Sequence, residues 1–268
     1  MSKNITTFDV IMEYSRISKN KIKELRSLHV KKHRDKLSLF LVEGRKAVTD
    51  FVDSFQLENL ICSPRFLSEN PSFSRFGSKI LLDYENIGLS QISSLSTPPE
   101  VIAVFRIPSF PVDFSKLSAD RYYLLLDGIQ DPGNLGTIIR TCDWFGIYDI
   151  YVSKDTVDVY NPKVIQATMG SLSRVHVHYV NLIDLIKAQQ EFQLVGTLLQ
   201  GTPLQKAVIK KPSLILMGNE GRGISSELRN YITLPVTIPP ANSCSHPDSL
   251  NVAVATAIIL SHISCNNG

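Results

Sequence analysis

Hydrophobic positions along the chain fall into two regimes that meet near residue 110. In the first, Ile22, Leu25 and Leu28 recur at three-to-four spacing, which predicts an amphipathic helix over residues 18–30 with a basic opposite face. Apolar runs at 37–42 and 101–105 predict strands, and further strands are expected at 57–62 and 79–82. Further helices are expected over 46–55, from Pro64 (Ser63 as cap, Pro64 at the first position) and over 87–95. Residues 107–120 carry Pro108, Pro111 and several serines with little periodicity, and read as a linker. In the second regime, predicted strands at 122–126, 147–152, 175–180, 194–199, 214–217 and 233–238 alternate with helices at 135–145, 162–172, 182–192, 225–231 and 250–263. Asn134 is expected to cap the helix at 135–145. Such alternation implies right-handed crossovers and a mostly parallel sheet buried on both faces. The fold class is therefore α/β. The expected organisation is a lead-in over 1–15, a small α/β domain over 16–106, the linker, and a second domain over 121–268.

Ligands on such sheets sit at the carboxyl ends of the strands. Three polar, Gly-bearing junctions lie at such ends. They are Asp127-Gly128-Ile129-Gln130-Asp131-Pro132-Gly133-Asn134, then Met217-Gly218-Asn219-Glu220-Gly221-Arg222-Gly223, and Ser249-Leu250-Asn251. Gly lets a ligand approach the backbone closely, and the helix starts beyond offer unpaired N–H groups. A pocket built from main chain follows. Around it stand Asn134, Arg140, Glu220, Ser249 and Asn251. Taken singly, each has two readings. Arg140 is suited to a phosphate or to an ion pair with Glu220. Glu220 is suited to capping the next helix or to holding a cation, and Ser249 and Asn251 to starting the last helix.

Charge adds a partner to this picture. The net charge is only +3, but residues 16–46 hold eleven Lys and Arg against three Asp and Glu. That segment is +8 and the remainder −5. Such concentration is the footprint of a phosphate-rich partner, with Arg26, Lys31, Lys32, Arg34 and Lys36 as candidate RNA contacts, or else a solvated helix face. Other chemistries lack their signatures. There is no P-loop, no G-x-G-x-x-G at a first strand–helix turn and no nucleophile elbow. His176 and His178 share one strand face without a further ligand, so they read as structural and no metal is expected. The four cysteines are scattered and read as reduced, structural thiols. The longest apolar run, 252–260, is too short to span a bilayer, and the polar start carries no signal block. A cytoplasmic address is expected.

The segments 134–140 (NLGTIIR), 217–225 (MGNEGRGIS) and 249–255 (SLNVAVA) resemble, in order and spacing, the three signature motifs of the SpoU (TrmH-like) RNA ribose methyltransferases of the SPOUT superfamily. Residues 167–172 (ATMGSL) resemble the family's mid-domain segment. The match covers 122–263. The basic helix followed by Phe40-Leu41-Val42-Glu43-Gly44 resembles that family's substrate-binding domain, of ribosomal-protein-like α/β fold. The resemblance implies a C-terminal trefoil knot, a homodimer, and S-adenosylmethionine bound by main chain around Gly218, Ile238 and Leu250. It implies methyl transfer to a ribose 2′-hydroxyl of ribosomal or transfer RNA without a metal. Arg140 would act as base or as electrostatic support, with Asn134, Glu220, Ser249 and Asn251 ordering the site. The loop 240–248 is about three residues longer than the family's usual one, and places His246 and Asp248 beside the cofactor site. The alternative is an RNA-binding protein on the same fold without catalysis.

Overall fold

A computed structural model describes residues 14–241 and 248–266. The chain divides into two compact units. One holds the residues up to Ser109 together with Tyr160–Ser173, and the other holds Phe110–Val159 with the residues from Arg174 onward.

The first unit is built from β1 (Ser15–Arg16), α1 (Lys19–Ser27), α2 (Lys31–Leu37), β2 (Leu39–Glu43), α3 (Arg45–Phe51), β3 (Leu57–Cys62), α4 (Pro64–Glu69), β4 (Ile80–Leu82), α5 (Ile87–Ile92) and β5 (Val101–Arg106). Its sheet runs β1-β4-β3-β5-β2, with β5 antiparallel to both neighbours. Ile22, Leu25 and Leu28 do form the buried stripe of α1, and Ser18 caps it by accepting from the Lys21 N–H. The opposite face of the sheet holds an aromatic cluster. Phe40 is buried against Phe55 at 5.3 Å and Tyr160 at 4.6 Å between ring centroids. That packing belongs to the segment Tyr160–Ser173, which carries α7 (Pro162–Thr168). Helix α7 stops four residues before its expected end because Met169 and Gly170 both take positive φ.

The basic segment departs from expectation at α2, where the sequence KKHRDKL has no apolar stripe. This helix is held instead by Arg34, which is 2% exposed and donates from Nη1 to the carbonyls of Leu28 (2.7 Å) and His29 (3.0 Å). Those carbonyls close the end of α1, so the guanidinium satisfies acceptors that the helix leaves open. Arg34 is therefore corrected from a candidate RNA contact to a structural clamp. Arg26, Lys31, Lys32 and Lys36 are exposed, and Lys31 pairs with Asp35.

The second unit is built from β6 (Tyr122–Leu126), α6 (Pro132–Trp144), β7 (Asp149–Val152), β8 (His176–Tyr179), α8 (Leu182–Ala188), β9 (Gln193–Pro203), β10 (Ser213–Met217), α9 (Ser226–Arg229), β11 (Leu234–Thr237) and α10 (Val252–Asn266). Its six strands run β11-β9-β10-β6-β7-β8, and every pairing is parallel. Leu124, Leu125, Leu126, Ile215 and Leu216 are fully buried in the middle strands, as a sheet covered on both faces requires. The order puts the ends of β6 and β10 side by side, with Asp127 N–H donating to the Met217 carbonyl. Two of the three polar junctions thus begin as neighbours.

One local expectation is corrected. Asn134 does not cap α6. Asp131 does, its Oδ1 accepting from the Asn134 N–H at 2.8 Å, with Pro132 at the first helical position. The proline signal starts the helix three residues early and leaves the Asn134 side chain free for other work.

Candidate functional site

The hairpin between β10 and α9 is the centre of the site. Asn219 and Gly223 exchange backbone hydrogen bonds, and the Asn219 side chain braces the turn from inside. Its Oδ1 accepts from the N–H groups of Gly221 and Arg222, both at 3.0 Å. Its Nδ2 donates to the Gly128 carbonyl at 2.6 Å, locking the hairpin to the loop after β6. Asp127 adds a second lock, accepting from the Ser225 N–H at 2.7 Å. Gly218 has no room for a side chain. A Cβ there would fall 2.3 Å from Gly223 C and from Ile224 N. The glycine lets two stretches of backbone touch, one of the uses for which Gly is required.

The three junctions meet in one line of hydrogen bonds. Asn134 Nδ2 donates to Glu220 Oε1 at 2.9 Å. Asn251 Nδ2 donates to Asn134 Oδ1 at 2.8 Å. Asn251 Oδ1 in turn caps α10, accepting from the Ala253 N–H at 2.9 Å. The line fixes the orientation of both amides, since each uses its donor and acceptor ends on named partners. Glu220 therefore accepts from Asn134 and not from Arg140.

Beside this line opens a cleft of about 310 Å³, within the size range of small-molecule sites. Gly218, Ile238 and Leu250, expected around the cofactor, all line it, as do Thr197, Leu199 and Val252. Glu220, Ser249 and Asp248 are also in the lining. The walls are apolar side chains and main chain, with polar groups at one side. Arg140 is exposed on α6 and is not among the lining residues. His246, with residues 242–247 of the long loop, lies outside the described residues.

The groups set aside on the sequence have visible employment. His178 Nε2 is 2.9 Å from Asp149 Oδ1, across the β7–β8 pair. Among the described residues no group of three His, Cys, Asp or Glu is placed to hold a metal ion. Burial pushes the Cys62 thiol up to about 12 and that of Cys142 higher still, which leaves both as unreactive thiols. Among the described residues no helix is long and apolar enough to cross a membrane.

Sequence reasoning named Asn134, Glu220 and Asn251 but missed Asp127, Asp131 and Asn219. All three lie inside the quoted junctions; what marked none of them was which loop each would tie down.

These three motifs, joined on an all-parallel sheet, decide the family. The chain belongs to the SpoU rRNA methylase family. The profile of that family matches residues 121–261, and that of the MRM3-like substrate binding domain matches residues 19–103. Among SpoU relatives, the 23S rRNA (guanosine(2553)-2′-O)-methyltransferase of Bacillus subtilis is 33% identical over 247 residues, covering 91% of this chain and 95% of that enzyme. A 23S rRNA (uridine(2479)-2′-O)-methyltransferase of Streptomyces viridochromogenes is 34% identical over 172 residues, covering 61% of this chain and 59% of that enzyme. The AdoMet-bound rRNA methyltransferase from Sinorhizobium meliloti superposes with a TM-score of 0.83 at 31% identity, covering 96% of this chain and 99% of that one.

Proposed function

We propose that this SpoU protein transfers the methyl group of S-adenosylmethionine to a ribose 2′-hydroxyl of ribosomal RNA. The observation that carries the reading is the hydrogen-bonded line Glu220–Asn134–Asn251 at the edge of the cleft lined by Gly218, Ile238 and Leu250. The cleft suits the cofactor. Its apolar walls match an adenosine and a thioether, and its main-chain edge at Gly218 leaves no side chain to block a close approach. Ile238 and Leu250 would hold the cofactor from either side. When bound, the cofactor supplies an electrophilic methyl on a sulfonium.

The protein's share is positioning and charge. In the overall reaction an O–CH₃ bond forms, the S–CH₃ bond breaks with its electron pair passing to sulfur, and the hydroxyl proton goes to solvent. The reacting oxygen must lie in line with the methyl and the sulfur, which is an orientation task. Asn134 and Asn251, each fixed at both ends, give the ribose a rigid polar edge, and Glu220 anchors that edge to the hairpin. Ser249 lies in the cleft lining where an RNA phosphate would pass. Arg140 supports the developing alkoxide. A guanidinium keeps its charge at any ordinary pH, so electrostatic support suits it better than proton removal. The exposed Arg26, Lys31, Lys32 and Lys36 would hold RNA phosphates, which position the nucleic acid without reading its sequence.

A homodimer and a cytoplasmic address belong to the same reading. Helices α6 and α10 pack together and present Trp144 (84% exposed), Val254 (49%) and Ile258 (37%). A second copy would cover them. The family's trefoil knot is likewise proposed for the stretch from β10 to α10.

The test is transfer of labelled methyl from S-adenosylmethionine to unmodified ribosomal RNA, with transfer RNA as a separate acceptor and Arg140→Ala alongside. Label in ribosomal RNA that blocks alkaline cleavage at the modified position supports the reading. Label on a base, or tight RNA binding with no cofactor binding by calorimetry, sinks it in favour of the non-catalytic RNA-binding alternative.

A further inference from the structure

The first unit holds a pocket of its own. It measures about 300 Å³ and lies where the end of β2, the start of α3, the loop after α5 and helix α7 meet, and every residue lining it belongs to that unit. Leu41 and Ile165 are buried at its floor, and Ala47, Leu95, Pro162 and Met169 complete its apolar walls. Arg45, Lys46 and Gln166 stand exposed at its rim.

The local sequence builds the opening. Gly44 turns the chain out of β2 at φ +91°, a region that glycine enters freely. Glu43, the one acid in the lining, is already committed. Its carboxylate accepts from Ser93 Oγ at 2.5 Å and from Ser94 Oγ at 2.8 Å, which ties the loop after α5 in place as one wall. Arg45 and Lys46 are not committed. Among the described residues neither side chain has a hydrogen-bond or ion-pair partner. The acid is therefore occupied and both cations are free. Met169 ends α7 at φ +51°, ψ +35°, a left-handed conformation that disfavours most L side chains and suits Asn or Gly. It is 52% exposed, so an unbranched, polarisable thioether is held open at the pocket mouth, where it adapts to the face of a flat ring.

We infer that this pocket takes one unpaired base of the RNA substrate, with the adjoining phosphate held by Arg45 and Lys46. The inference rests on the RNA-methyltransferase reading above and adds a second grip on the same RNA. A nucleotide matches both halves of the pocket, offering flat faces to the apolar walls and an anion to the rim. An apolar peptide side chain would fill the floor and leave the cations unmatched, and inorganic phosphate would leave the walls unmatched. A free nucleotide shares the chemistry. RNA is favoured because Arg45 and Lys46 are the last two of the eleven basic residues in 16–46, so the pocket continues the segment that holds phosphates. Proteins recognise single-stranded and bulged RNA because such bases can be splayed out and held between apolar side chains. The Gln166 amide carries both donors and an acceptor and can meet the edge of any base. The pocket therefore senses that a base is unpaired and not which base it is.

The full-length protein is titrated with three RNA hairpins: a fully paired stem, the same stem with one bulged uridine, and that stem with an abasic nucleotide at the bulge. The parent protein should bind the uridine bulge about tenfold more tightly than either of the others, the usual gain from one stacked base. Met169→Asn puts a residue that tolerates the left-handed region in place of the apolar wall, and Ala47→Leu fills the pocket. Each should bring the uridine bulge down to the level of the abasic one, with the paired stem within about twofold of the parent value and the melting temperature not lowered. Arg45→Ala should weaken binding of all three hairpins and reduce the slope of log affinity against log salt by about 1. Equal affinity of the parent protein for the uridine and abasic bulges overturns the inference, as does a preference that survives both pocket variants. Displacement of the uridine-bulged hairpin by micromolar adenosine monophosphate overturns it in favour of a free-nucleotide site. Methyl transfer to ribosomal RNA is measured on the same preparation. Absence of label sinks the methyltransferase reading, whereas label without a bulge preference sinks only this inference.

Discussion

Gly218 shows how little freedom single positions in this site have. Its missing Cβ would overlap Gly223 C and Ile224 N at 2.3 Å, and both are backbone atoms that no rotamer change can move. Gly218→Ala should therefore open the hairpin away from the cleft. The expected result is a cofactor dissociation constant raised more than tenfold by calorimetry, with the melting temperature also lowered, since overpacking of this kind costs about 1–3 kcal/mol. Arg140 is a different case, exposed on α6, and under the proposed reading it acts on the bound RNA. Arg140→Ala should leave cofactor affinity and melting temperature unchanged and lower kcat by about 10² to 10³, the usual effect of removing one electrostatic stabiliser. Single-turnover methyl transfer measures it. A loss confined to KM would instead make Arg140 an RNA-holding residue. Arg34 and Lys32, two residues apart on α2, separate structure from binding. Arg34→Met leaves the Leu28 and His29 carbonyls without their buried donor and should cost about 1–3 kcal/mol in chemical denaturation. Lys32→Ala should leave stability alone and reduce the slope of log affinity for RNA against log salt by about 1.

At the scale of elements, the β7–β8 pair carries a pH dependence. The hydrogen bond from His178 holds the Asp149 carboxyl below the ordinary aspartate range, against a contrary push from partial burial. A folded-state value below the unfolded one means stabilisation that is present above the ordinary value near 4 and is lost as pH falls through the folded one. Asp149→Asn should thus melt at a lower temperature than the parent at pH 7, and the gap should narrow below about pH 4. Thermal melts between pH 3 and 7 decide it. Elements also differ in how plainly the sequence declares them. Strand Tyr122–Leu126 was legible to the residue, because it is an unbroken apolar run between polar breaks. Helix α2 was not, because it is held by one buried arginine and ended by Ser38 in the left-handed region, neither of which leaves a periodic trace. The start of α6 was misread because Asn134 is a good cap by type, while the Asp131-Pro132 pair ahead of it is a better one. Asn134, Glu220 and Asn251 were legible as a set through their motifs. Their line of hydrogen bonds was not, because it depends on strand order, and local pattern does not specify which strand ends become neighbours.

For the whole molecule, the parallel sheet gathers the polar junctions of the second unit at one end and leaves Trp144 at the end of α6, with Val254 and Ile258 on α10, exposed. Trp144 is 84% exposed, an unusual position for the chain's only tryptophan. Val254 and Ile258, one turn apart on α10, extend the same character, and Leu250 at 50% exposed carries it to the cofactor cleft. Exposed large apolar side chains gathered on packed helices point to an interaction site. Continuity with the cleft favours a second copy of the chain as the occupant, because the same contact would then wall the cofactor site. Buried tryptophans are commonly dominant at interfaces, each worth about 2 kcal/mol or more. Trp144→Glu should therefore turn a dimer into a monomer in sedimentation velocity at micromolar concentration, with the far-UV spectrum unchanged. Ile258→Glu should act in the same direction, and both should weaken cofactor binding, since Leu250 would lose its cover. If the parent protein itself sediments as a monomer throughout that range, the apolar face has another partner, and the cleft binds its cofactor without help from a second subunit.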